Sequence, residues 1–196
     1  YLFIIFHKDI PLEILNPDPT EIEVTDADGG MKQIKLKSEK GNIISLTQVL
    51  ENGVYAMEFQ LTKTQCGGCG TVGIVRDSYT INAGADLSNC PHRDHCAIFC
   101  GRNWHNGQTR YKGSNSSGNK GFADNQIVRL EFDSEKGTLI FFVDGAQQPV
   151  YISGIKEKVR FIIYMYHANS TGVIRSLKIL AAPTSGHVAN QKTVQW

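Results

Sequence analysis

Apolar and polar positions alternate in short bursts along most of the chain, and each burst ends in turn chemistry. The clearest burst lies within residues 122–145. Val128, Leu130 and Phe132 alternate with Arg129, Glu131 and Asp133, which predicts a strand with one apolar and one wet face. Residues 133–137 then supply a turn ending in Gly137, a residue that accepts positive φ. Residues 138–143 follow as a strand apolar on both faces, and Asp144-Gly145 turns the chain again. Together they predict an antiparallel hairpin.

Similar bursts extend on both sides. Residues 21–25 and 31–37 predict a hairpin about the turn at 26–30. Residues 43–50 predict a strand or edge piece, 54–62 a core strand behind the Asn52-Gly53 turn, and 71–75 the next strand. Residues 78–94 form a long irregular stretch, of the kind that is usually functional or mobile in a compact domain. Residues 95–100 read as a strand. Residues 101–121 read as a loop rich in glycine, asparagine and serine, with Trp104, Arg110 and Tyr111 embedded in it. Residues 149–152, 159–166 and 173–180 complete the strands. No long helical period and no solenoid repeat is present. Many short strands without a helix predict an all-β fold, a two-layer antiparallel β-sandwich, with a closed barrel as the alternative. A chain of 196 residues suits one such domain. The expected organisation is an N-terminal extension over 1–19, broken by Pro11, Pro17 and Pro19, a sandwich over 20–180, and a polar tail without periodicity over 181–196.

Charge narrows the partners. The formal net charge is +1, and no basic stripe offers the footprint of a nucleic-acid binder. No apolar run reaches the roughly 18 residues needed to span a bilayer. The apolar run 1–6 is too short for a signal-peptide core and has no basic segment ahead of it. The chain begins with Tyr1 and is read as part of something longer. Five cysteines are an odd number and they are clustered. That makes a poor disulfide framework and points to a reducing compartment, with a cytoplasmic location expected. The glycosylation patterns at Asn115 and Asn169 are short enough to arise by chance.

Five motifs occur in order: Gly53-Val54-Tyr55-Ala56-Met57-Glu58-Phe59, Val72-Gly73-Ile74-Val75, residues 124–133, residues 137–145, and Val159-Arg160-Phe161-Ile162-Ile163-Tyr164. The series resembles the SPRY/B30.2 domain family over roughly residues 20–180. The resemblance implies a bent, concanavalin-A-like β-sandwich that binds a peptide or a partner's surface through loops at one end. It also implies a recognition module within a larger scaffold or ubiquitin-ligase-type protein. Two positions depart from the family pattern. Ala56 stands where an aromatic is common, and Tyr164-Met165-Tyr166 replaces a tryptophan-containing segment, so no peptide specificity carries over.

By that resemblance Tyr164, Tyr166 and His167 fall in the pocket segment. Arg76, Asp77 and Tyr79 lead into the long irregular stretch, and Trp104 and Arg110 sit in the glycine-rich loop. Tryptophan, tyrosine and arginine are the residue types most enriched at binding hot spots. The competing expectation is that both tyrosines are core, that Trp104 is a buried plug, and that Arg76 only pairs with an acid.

Cys66-Gly67-Gly68-Cys69 has zinc-knuckle spacing, and Cys90, His92, His95, Cys96 and Cys100 offer further ligands. The knuckle and residues 78–94 leave opposite ends of one strand, about 23 Å apart at ~3.3 Å per residue. Only a long fold-back of that stretch would bring both groups to one ion, and Cys100 is the residue better placed to meet the knuckle. No metal and no cofactor are assigned, and zinc is not favoured. A zinc-stabilised structural domain and a carbohydrate-binding, lectin-like module stand as alternatives to protein recognition. A nucleophile elbow, a phosphate loop and a metalloprotease helix motif are all missing, so no enzymatic activity is expected.

Overall fold

The alternation resolves into two stacked sheets in a computed structural model that describes residues 7–196. The apolar run 1–6, and with it the start of the expected N-terminal extension, lies outside the described residues. In chain order the first strands are β1 (His7–Asp9), β2 (Ile14–Leu15), β3 (Ile22–Ala27), β4 (Met31–Leu36), β5 (Asn42–Leu46) and β6 (Val54–Lys63). Next come β7 (Thr71–Arg76), β8 (Cys96–Cys100), β9 (Thr109–Tyr111), β10 (Ser114–Ser116), β11 (Ile127–Asp133) and β12 (Thr138–Val143). The last are β13 (Ala146–Gln147), β14 (Val150–Ser153), β15 (Val159–Met165), β16 (Thr171–Leu180) and β17 (Lys192–Gln195). The single α-helix among the described residues, α1 (His92–His95), is one turn long.

One sheet runs β17-β14-β12-β11-β6-β16-β4-β3, with β1 added beside β16 and β13 beside β12. The other runs β10-β9-β8-β7-β15-β5-β2. Strand pairs are antiparallel except β14 with β17. The predicted hairpin is β11–β12, in register from Val128↔Val143 to Asp133↔Thr138, and Gly137 closes its turn at φ +62°.

Inward-facing side chains of both sheets form one core. Phe59, Phe132 and Phe141 from the first sheet meet Phe99 and Phe161 from the second, all fully buried. The rings of Phe99 and Phe141 touch across the layers at 4.9 Å between centroids. Burying each such ring contributes roughly 1.5–3 kcal/mol. Gly73 lets β8 approach β7, because a Cβ there would stand 2.0 Å from the Ala97 carbonyl oxygen.

Several expectations need correction. The face of β11 expected to be wet is covered: Glu131 and Asp133 are buried. Residues 184–185 lie over Glu131 and supply its carboxylate with hydrogen bonds. The segment expected to be a structureless tail contributes β17, whose Val194 is buried in the main core. Its apolar content was too sparse to show a period, and pairing with β14 supplies the order instead. The extension contributes β1 and β2, which pair with β16 and β5. The loop over 101–121 contains β9 and β10. Although five clustered cysteines argued against disulfides, Cys66 and Cys69 are bonded, with Cα atoms 5.8 Å apart. The bond closes only a tight turn, so it removes little unfolded-chain entropy.

Candidate functional site

Outward-facing residues of the second sheet build a further layer. On β15, Arg160, Ile162 and Tyr164 point away from the main core, as do Ile43 on β5, Val75 on β7, and Cys96, Ile98 and Cys100 on β8. The irregular segment 77–95 lies over this face. Ala85 and Leu87 are buried in the second cluster, and Tyr79 and Ile81 pack against it. The segment is therefore a cover rather than an open receptor, and accessible groups gather at two ends of the face.

One end is an aromatic rim. Trp104 follows β8, and its ring lies 6.0 Å from those of both Tyr164 and Tyr166 and 5.8 Å from that of His167. Trp104, Tyr166 and His167 are half-buried, each with an accessible edge. Tyr164 forms the floor: it is buried and its hydroxyl donates to Asp86 Oδ1 at 3.0 Å. Burial, reinforced by the Asp86 carboxylate, pushes its phenol well above the ordinary tyrosine value, so it stays neutral. His105 flanks Trp104 at 5.9 Å. Burial and the nearby Arg110 hold its imidazole below the usual value.

The other end is a groove of about 370 Å³ lined by Leu15, Pro17, Asp77, Tyr79, Ile81 and Arg160 among others. Arg160 is its buried cation. It donates to the Tyr79 carbonyl at 3.0 Å and to Ser45 Oγ at 3.3 Å, and its Nε lies 3.2 Å from Asp77 Oδ1. The Tyr79 ring stacks on His95 at 4.1 Å, and its hydroxyl meets His92 Nδ1 at 2.7 Å. Burial, with a smaller effect from Cys96, raises the Tyr79 phenol. Arg160 and Tyr164 are four residues apart on β15, so the two ends lie about 13 Å apart at ~3.3 Å per residue.

The structure thus brings Trp104, Tyr164, Tyr166 and His167 together, and places Asp77 and Tyr79 at the far end of the same face. Arg110, on β9 opposite Ile98, borders the same outer face beside Leu87 and Cys96, and donates to Asn115 Oδ1 at 2.8 Å. Arg76 is on the opposite side of its sheet. It pairs with Glu157, donates to the Tyr111 hydroxyl, and lies 4.9 Å over the Trp196 ring, which makes it a clamp on the C-terminal strand. Sequence patterns missed Arg160 and Asp86. A lone arginine inside the apolar run 159–164 was the available signal, because a charge in such a strand needs a buried partner. A larger open cleft of about 800 Å³ lies among residues 50–54, 132–136, 155–158 and 181–183. Its polar lining mixes acids with lysines and offers no exposed aromatic anchor.

No family model matches the chain, and no curated protein matches it. Solved structures do. The SPRY domain of human HERC1 is 13% identical with a TM-score of 0.58, over 86% of this chain and 99% of that one. The TRIM65 PSpry domain is 10% identical with a TM-score of 0.60, over 90% of each chain. The carbohydrate-binding module CBM66 from Bacillus subtilis is 13% identical with a TM-score of 0.51, over 87% of this chain and 96% of that one. At these identities the likeness is one of fold: the chain has the SPRY-type, concanavalin-A-like sandwich, and the barrel alternative falls away. Among the described residues no helix is long and apolar enough to cross a membrane.

Proposed function

We propose that this chain is a non-catalytic protein-recognition module that binds a peptide or a partner's surface, as the recognition part of a larger scaffold or ubiquitin-ligase-type protein. The observation that carries it is the rim of Trp104, Tyr166 and His167, held on a rigid floor at Tyr164. Half-exposed aromatic groups on a fixed scaffold lose little conformational freedom on binding and bury much area. The fold likeness to the SPRY domains of HERC1 and TRIM65 supports the same class. A purely binding role also suits the thiols: burial pushes Cys96 and Cys100 up to about 12, which leaves neither as a nucleophile at neutral pH. The cytoplasmic location belongs to this proposal and rests on the free cysteines Cys90, Cys96 and Cys100. The near-neutral charge favours a protein partner over nucleic acid or a membrane surface.

The likeness to CBM66 supports carbohydrate binding as a second reading. It is weakened at the rim because the Asn103 amide is engaged by the Cys66 and Gly67 carbonyls and is not free for a sugar. Peptides selected from a displayed library against the domain test both readings. Tyr166→Ala should weaken the selected peptides at least tenfold while shifting the melting temperature by only a few degrees. A glycan array should stay blank. Peptide affinity unchanged in Tyr166→Ala and Trp104→Ala would move the site elsewhere, and glycan signal would favour the second reading.

A further inference from the structure

Beside the aromatic rim, two elements bring three soft ligands together. Cys66 and Cys69 lie on the turn between β6 and β7, and His167 on the turn after β15. Their sulfur and imidazole nitrogen atoms lie within 4.8 Å of one another. Cys69 is buried, and Cys66 and His167 are half-buried. The third member differs from the one expected from topology: His167, not Cys100, meets the knuckle, because Cys100 is buried in the cluster beneath the cover.

Apart from a 3.6 Å contact between Cys69 Sγ and the Asn103 carbonyl, the surroundings hold these groups in place without using their ligand atoms. Thr64 Oγ1 accepts the backbone N–H groups of Gly68 at 2.8 Å and Cys69 at 3.4 Å, and donates to Asp124 Oδ1 at 2.7 Å. The Asn103 amide donates to the carbonyls of Cys66 and Gly67. Gly68, at φ +129°, fits against Phe122, whose carbonyl oxygen would stand 2.8 Å from a Cβ there. On the other element His167 Nδ1 lies 3.3 Å from Glu39 Oε1, which leaves Nε2 as the nitrogen free for a metal. A carboxylate on the far nitrogen is the usual means of fixing the tautomer of a metal-binding histidine. The edge-on contacts of Tyr166 at 5.3 Å and Trp104 at 5.8 Å fix the ring's plane.

We infer that, when the Cys66–Cys69 pair is reduced, these two thiolates and His167 form a three-ligand site for a zinc-class divalent ion. Water completes the tetrahedron. Two thiolates and a neutral imidazole balance the ion's charge, which suits a half-buried position. The soft sulfur pair selects zinc over magnesium or calcium. Bound metal would tie the turn at 64–70 to the turn after β15. The site shares His167 with the rim, but its test reads metal rather than peptide.

Cobalt(II) is the probe. Phosphine-reduced protein titrated with cobalt(II) should show a near-ultraviolet thiolate charge-transfer band and tetrahedral visible bands. These should saturate at one equivalent and vanish when zinc(II) is added, and protein with the disulfide intact should show none. His167→Ala should weaken cobalt binding at least about tenfold, and Glu39→Gln by about tenfold. Glu39 is exposed, so its variant should keep the melting temperature of the metal-free protein. The inference is overturned if reduced protein shows no charge-transfer band, or if both variants bind cobalt as tightly as the parent.

Discussion

Glu131 is a carboxylate inside the protein, and its surroundings say how it is tolerated. Its Oε1 accepts the N–H groups of Thr184 at 3.1 Å and Ser185 at 3.0 Å, and its Oε2 accepts from Arg129 at 2.8 Å. Burial on its own would raise its pKa. The hydrogen bonds from Thr184, Ser185 and Arg129 outweigh it and hold the carboxyl below the ordinary glutamate value. A group depressed in the folded state stabilises fully above its unfolded pKa, about 4.3, and that contribution is lost as pH falls through the lower folded value. Glu131→Gln should therefore cost roughly 1–3 kcal/mol at neutral pH and flatten the acid limb of the stability curve. Urea unfolding of both proteins between pH 3 and about 7 checks this. Tyr164 and Tyr166 make a different contrast. Their two-residue spacing places them on one face, as alternation requires, yet only Tyr164 is fully buried. Asp86 of the cover reaches Tyr164, whereas Tyr166 lies just past the end of β15.

Strands such as β6, β11, β12 and β15 were legible because their side chains repeat every two residues and face a core. Other elements were not, for a physical reason in each case. β9 and β10 are three residues each, too short for a period to register. β17 carries one buried apolar side chain and depends on a tryptophan outside the strand. Trp196 stacks on Tyr111 at 4.7 Å, donates through Nε1 to Glu157 at 2.7 Å, and lies beneath Arg76. Trp196→Ala should cost about 2 kcal/mol and lower the melting temperature by roughly 4–8 °C. Adding Tyr111→Leu should give less than the sum of the two single losses, because both remove the same stack. Calorimetry of the three variants decides it, and full additivity would mean that the stack contributes nothing. For the rim, residue type pointed to Trp104, Tyr166 and His167. Their meeting depends on β8 and β15 both flanking β7, an order that periodicity along one strand does not encode.

Both sheets turn their outer faces toward irregular chain: residues 77–95 lie over one, and 184–185 over part of the other. Leu87 and Ala85 anchor the first cover in the second apolar cluster. Leu87→Ala should loosen the cover ahead of the sandwich, because its contacts lie outside the main core. Chymotrypsin cleavage near Tyr79 should then accelerate by more than the loss of global stability, read from urea unfolding, accounts for. Cleavage that rises only in proportion to the loss of global stability would mean that cover and sandwich open as one unit. These coverings also bear on how such a chain can diverge. Segments without regular structure are ordinarily where insertions accumulate, but an added residue near 85–87 would pull apolar anchors from their seats. The exposed stretch 112–115 around the β9–β10 turn carries no such anchor. Descendants of this chain should therefore vary in length at that hairpin and keep the cover at constant length.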